Sequence, residues 1–131
     1  MNFTDADANN ERGFALESLE NYQGAIDDYT QAISLNPEND YSNYLFRGFA
    51  RKSLNDYQGA IDDYTKAISL QPDYDSVYLF RASARESQED YQGAIKDCQK
   101  AVDLYVESGD MEGYQNAIAM QKRLRLVRSW S

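Results

Sequence analysis

Few residues in this 131-residue chain could do chemistry, and their types restrict what that chemistry could be. Histidine is absent, and Cys98 is the single cysteine. Zinc sites of the Cys/His type and triads with a histidine base are excluded, and a lone cysteine forms no internal disulfide. Cys98 could be a reactive thiol, but the sequence requires no basic residue to face it; a buried core residue is the better account. Asp27-Asp28 and Asp62-Asp63 are adjacent carboxylates of the kind that could suggest a metal. Neighbours on a helix point about 100° apart, so each pair diverges, and a solvated acidic outer face is expected. Arg12, Arg47 and Arg81 recur in register with Asp28, Asp63 and Asp97. A guanidinium fork suits a partly buried carboxylate, so structural ion pairs are expected; the alternative is that the arginines bind an acidic ligand. No nucleophile–base pair, phosphate loop or metal cluster is visible. The expectation is a protein that is not an enzyme, with no cofactor and no metal.

The elements that carry these residues repeat. YQGAI occurs at Tyr22, Tyr57 and Tyr91, at spacings of 35 and 34 residues. Residues 22–35 and 57–70 differ only at Gln31 and Lys66. Arg12-Gly13-Phe14-Ala15 returns as Arg47-Gly48-Phe49-Ala50 and, more loosely, as Arg81-Ala82-Ser83-Ala84. Within each unit the apolar spacing is helical: Ala60, Ile61, Tyr64, Ala67 and Ile68 share one face. Asn21, Asp56 and Asp90 precede the YQGAI blocks and are residue types that cap a helix start. Pro37 and Pro72 end the second helices of the first two units. A small residue at Gly13, Gly48 and Ala82 lets a second helix approach closely. The tyrosines recurring in the second helices, Tyr22, Tyr29, Tyr57, Tyr64 and Tyr91, are most simply core. Two helices per unit at this period make an α-solenoid.

These blocks resemble tetratricopeptide repeats. Unit two is the best example, with Tyr44, Gly48, Tyr57, Ala60, Tyr64, Ala67 and Pro72 at the family's intervals. The resemblance implies an all-α fold, a right-handed superhelical array of about seven helices. It implies one domain over 1–131, with repeats at about 6–39, 41–74 and 75–108. A capping helix follows at about 110–130, with an apolar stripe of Met111, Tyr114, Ala117, Ile118, Leu124 and Val127. Unit one departs from the pattern at Asn9, where units two and three have Tyr44 and Tyr78. Unit three departs at Cys98, where its siblings have Tyr29 and Tyr64, and at Val106, where they have proline. Its second helix is therefore expected to run to about Gly109.

The same resemblance places the first helices on a concave groove. The candidate peptide-binding residues are Asn10, Phe14, Leu45, Phe46, Phe49, Lys52, Leu79, Phe80, Ser83 and Glu86. The first helix of unit two is apolar on more than one side, and its second stripe needs a partner. For Phe46 and Phe80, packing against adjacent helices is an equal alternative. One family subtype grips a C-terminal carboxylate with Lys, Asn and Arg. The corresponding positions here hold Asn10, Phe14, Phe46, Ser76 and Phe80, so no carboxylate clamp is expected. The groove suits a protein or peptide partner with apolar anchors.

Charge narrows the partners further. The net charge is -9, divided between 22 acids and 9 bases over residues 1–121 and four bases, Lys122, Arg123, Arg125 and Arg128, in the last ten residues. The acidity argues against nucleic acid. No apolar run is long enough to span a membrane, and the start carries no export-type segment. With no export signal the triplet Asn2-Phe3-Thr4 is expected to stay unglycosylated, and a cytoplasmic location is expected. The leading expectation is a non-catalytic interaction module or scaffold. The alternative is a homo-oligomer that self-associates through repeat ends or the C-terminal helix with Trp130.

Overall fold

The computed structural model describes residues 5–38 and 40–130, with side chains from Asp7 onward. The Asn2-Phe3-Thr4 triplet lies outside the described residues. The helices are α1 (Asp5–Ser18), α2 (Tyr22–Leu35), α3 (Tyr41–Ser53), α4 (Tyr57–Leu70), α5 (Asp75–Ser87), α6 (Tyr91–Ser108) and α7 (Met111–Trp130). They form two compact units, α1–α4 and α5–α7.

Local chemistry sets the boundaries. The side chains of Asn21, Asp56 and Asp90 accept the backbone N–H of Gly24, Gly59 and Gly93 at 3.0, 3.0 and 2.9 Å. These bonds satisfy donors that a helix start leaves orphaned. Asp110 caps α7 in the same way through Gly113, at 2.9 Å. Asp40 caps α3 through Ser42, whereas Tyr74, before α5, makes no side-chain cap bond.

The turns between paired helices are Schellman motifs. After α3, Asn55 N–H donates to Lys52 C=O and Asp56 N–H to Arg51 C=O. The same two bonds recur at Glu20 and Asn21, and at Glu89 and Asp90. Each motif needs a left-handed residue, and Glu20, Asn55 and Glu89 take it, with φ of 60°, 62° and 61°. α6 has no terminating proline; it runs to Ser108 and stops at Gly109, φ 75°.

In the first unit, Ala25, Ile26, Tyr29 and Ala50 form a buried cluster packed by Leu16, Tyr22 and Phe46. The small residues of the first helices make room for aromatic rings. A Cβ on Gly13 would lie 2.7 Å from Tyr29 Cε1, and one on Gly48 would lie 2.6 Å from Tyr64 Cε1.

In the second unit, Ala82 and Cys98 occupy the corresponding positions and share a buried cluster with Ala94, Ile95 and Leu124. The larger small residue is thus paired with the smaller partner. Gly113 of α7 faces the Tyr105 ring in the same manner, leaving no room there for a Cβ. The α7 stripe departs from expectation at two positions, Met111 and Gln121. Ala117, Gln121 and Leu124 are its buried residues, and Met111 is exposed. Gln121 is tolerated inside because its amide donates to Gln99 Oε1 at 3.0 Å and Ile95 C=O at 3.4 Å.

Candidate peptide-binding surface

The repeated arginines and aspartates meet. Arg47 grips Asp63 with both oxygens engaged, Nε–Oδ2 at 2.9 Å and Nη2–Oδ1 at 2.7 Å. Arg81–Asp97 shows 3.0 and 2.7 Å, and Arg12–Asp28 shows 2.9 and 2.7 Å. The three aspartates are buried. A second arginine joins two of them: Arg51 Nη1 reaches Asp63 at 3.0 Å and Arg85 Nη1 reaches Asp97 at 2.8 Å. The residue at that position in unit one is Leu16. The visible signal for the second arginines is Arg-x-x-x-Arg at 47–51 and 81–85, one helical turn apart. These guanidinium groups are committed to carboxylates within the fold.

The adjacent acids separate as helix geometry demands. Asp27 and Asp62 are exposed and accept from Gln23 and Gln58 at 3.1 and 2.9 Å. Asp28 and Asp63 turn inward to arginine, so the outer face holds only the first acid of each pair. Among the described residues no cluster of three metal-capable side chains exists. Cys98 is buried. Burial, with Asp97 nearby, pushes its thiol up to about 11, which keeps it un-ionised and unreactive near neutrality.

In the first unit, α1 and α3 together present an aromatic strip. Phe14 meets Phe46 edge-on at 4.3 Å between centroids, and Phe46 lies 6.0 Å from Phe49. Beneath them Tyr29 and Tyr64 complete the stack, at 6.1 Å from Phe14 and 5.9 Å from Phe49. Phe14 is 41% exposed, and Phe46 and Phe49 are half-buried. Phe46 also lies 6.1 Å from Tyr29, so it packs inward and contributes to the strip at once. Asn10, at one end, donates to Asn43 of α3, a partner that sequence reasoning missed. Lys52 is half-buried further along α3.

Leu45 is a correction: at 4% exposed it is core and offers no surface. At about 100° per residue it falls between Gly48 and Phe49 around the helix, inside the broad apolar face of α3. In the second unit, Phe80 and Ser83 are half-buried, and Leu79 packs on the cluster around Cys98. Glu86 accepts from Arg123 of α7, with Nη2–Oε1 at 3.1 Å, so the capping helix already engages it.

Residues 6–39 and 49–107 match tetratricopeptide repeat families. The structure is similar to the first TPR domain of Spaghetti (RPAP3) bound to an HSP90 peptide, with 24% identity, 95% of this chain and 94% of that one covered, and TM-score 0.82. It is similar to the TPR domain of Arabidopsis OM64, with 31% identity, 92% and 93% covered, and TM-score 0.77. It is also similar to PcrH in complex with the chaperone-binding region of PopD, with 18% identity, 93% and 92% covered, and TM-score 0.84. No curated protein matches the chain. Seven helices in helix-turn-helix succession among the described residues, repeated caps and turns, and family matches over most of its length establish an all-α solenoid fold: the chain belongs to the tetratricopeptide repeat family.

Proposed function

We propose that this chain is a non-catalytic protein-interaction module that holds a peptide segment of a partner against the α1–α3 face. The observation that carries the reading is the aromatic strip of Phe14, Phe46 and Phe49. Aromatic side chains anchored on rigid helices bury large area at small entropic cost. Similar domains bound to peptides support the class of function: one carries an HSP90 peptide, another the chaperone-binding region of PopD. The chemistry of the ligand differs from that of an acidic tail. The positions where a carboxylate clamp has Lys, Asn and Arg hold Asn10, Phe14, Phe46, Ser76 and Phe80, and the chain itself is at -9. An extended or helical segment with leucine or aromatic anchors fits this face.

The test is a titration with a peptide selected from a displayed library. Phe49→Glu weakens binding by about tenfold or more, the loss of a moderate hot spot, about 1.4 kcal/mol. An acidic C-terminal tail peptide does not compete. Unchanged affinity in the variant overturns the assignment. A second reading, self-association, is favoured by one observation: Trp130, at the end of the basic segment, is 79% exposed.

A further inference from the structure

A cleft of about 300 Å³ lies where α6 turns into α7, lined by Tyr105, Val106, Gly109, Met111 and Tyr114. Val106 and Met111 are large apolar side chains left exposed there. The stretch 103–112 holds Asp103, Glu107, Asp110 and Glu112 and no base. At the other end of α7, Leu126 and Trp130 are exposed one turn apart, on the same side of the helix. Beside them stand Lys122, Arg125 and Arg128, with no acid after residue 112, while Arg123 is held by Glu86. An acidic-rimmed apolar cleft and a basic-flanked apolar plug are complementary in apolar character and in charge.

The two features cannot meet within one molecule. α7 spans 20 residues, about 30 Å of rigid helix, and holds the cleft at its start and the plug at its end. We infer that the cleft receives the Leu126–Trp130 end of α7 from a second copy of this chain, which builds head-to-tail assemblies. The inference rests on the self-association reading and gives it a geometry. Cleft and plug are different surfaces, so the contact is heterologous and propagates unless a ring closes. The volume admits one indole and little more, at the small end for ligand pockets, roughly 300–1,000 Å³.

The full chain carries one tryptophan, so Trp130 emission reports the plug directly. Sedimentation velocity and Trp130 emission are followed against protein concentration, at low and high salt. Wild type gains mass and shifts its emission to the blue as concentration rises, and both changes weaken in high salt. Trp130→Ala, which keeps the cleft, and Val106→Glu, which keeps the plug, each stay monomeric with wild-type melting temperatures. Mixed together, these two variants form a dimer and nothing larger, because one cleft and one plug remain. A wild type that is monomeric at every concentration overturns both this inference and self-association. Association that survives in both variants leaves self-association standing and overturns the cleft.

Discussion

Asp63 and Asp97 each sit under two guanidinium groups, and Asp28 under one. A buried carboxylate is tolerated only while paired, and removing one partner costs more than the pair contributed. Arg47→Met is expected to lower stability by about 3 kcal/mol, the low end for breaking a buried pair, because Arg51 still holds Asp63. Arg12→Met costs clearly less, since the Arg12 side chain is 66% exposed against 14% for Arg47. Chemical denaturation of the two variants checks the order; equal losses contradict it.

Buried acids with raised pKa set the alkaline limit. Burial pushes Cys98 from near 9 to about 11 and pushes Tyr29 and Tyr64 above their ordinary 10. The un-ionised thiol's contribution is complete below about pH 9 and is lost as pH rises toward 11, because the unfolded chain gives up the proton first. The melting temperature therefore falls above about pH 9, and Cys98→Ala shows a shallower fall across that window. Identical slopes contradict the buried-thiol account. The arginine–aspartate register was legible from recurrence alone. The second arginines were visible as i, i+4 pairs, but nothing marked them as converging on the same carboxylate.

Among the elements, the recurring device is a small residue on one helix opposite a ring on the next: Gly13 with Tyr29, Gly48 with Tyr64 and Gly113 with Tyr105. Ala82 with Cys98 is the same joint with volume moved from one side to the other. Gly48→Ala is expected to destabilise by about 1 kcal/mol, overpacking against the Tyr64 ring offset by gained helix propensity. Tyr64→Cys alone leaves a cavity and costs more. Combined, they reproduce the unit-three joint, and the loss is smaller than the sum by about 1 kcal/mol. Strict additivity in this double-mutant cycle contradicts the compensation.

Helix boundaries and caps could be read from Asn21, Asp56 and Asp90, and the longer α6 from the missing proline. Two features could not. The left-handed turn falls on glutamate at Glu20 and Glu89, a residue type that carries no turn signal. In α7, Gln121 is buried by its amide bonds to α6, a tertiary effect with no local signature.

For the whole molecule, the charge of -9 is an acidic array ending in a basic helix. No described helix is long and apolar enough to cross a membrane. The aromatic strip was legible because the repeats align Phe14 with Phe49, and Phe46 precedes Arg47 in the repeated block. Leu45 was misplaced on the surface, and the pairing of half-buried Glu86 with Arg123 was not foreseen. The width of a helix's apolar face and the reach of Arg123 from another helix appear only once the helices pack.

The central claim is that the α1–α3 face carries a partner's apolar anchors, and one titration tests it most directly. A display-selected peptide is titrated calorimetrically into wild type, Phe14→Glu and Phe49→Glu, with melting temperatures measured alongside. Phe14 is exposed, so its variant keeps the fold and isolates the surface. The account predicts at least about a tenfold loss of affinity in both variants and a negative heat-capacity change for wild type. Wild-type affinity in Phe14→Glu and Phe49→Glu, with the fold intact, would contradict it.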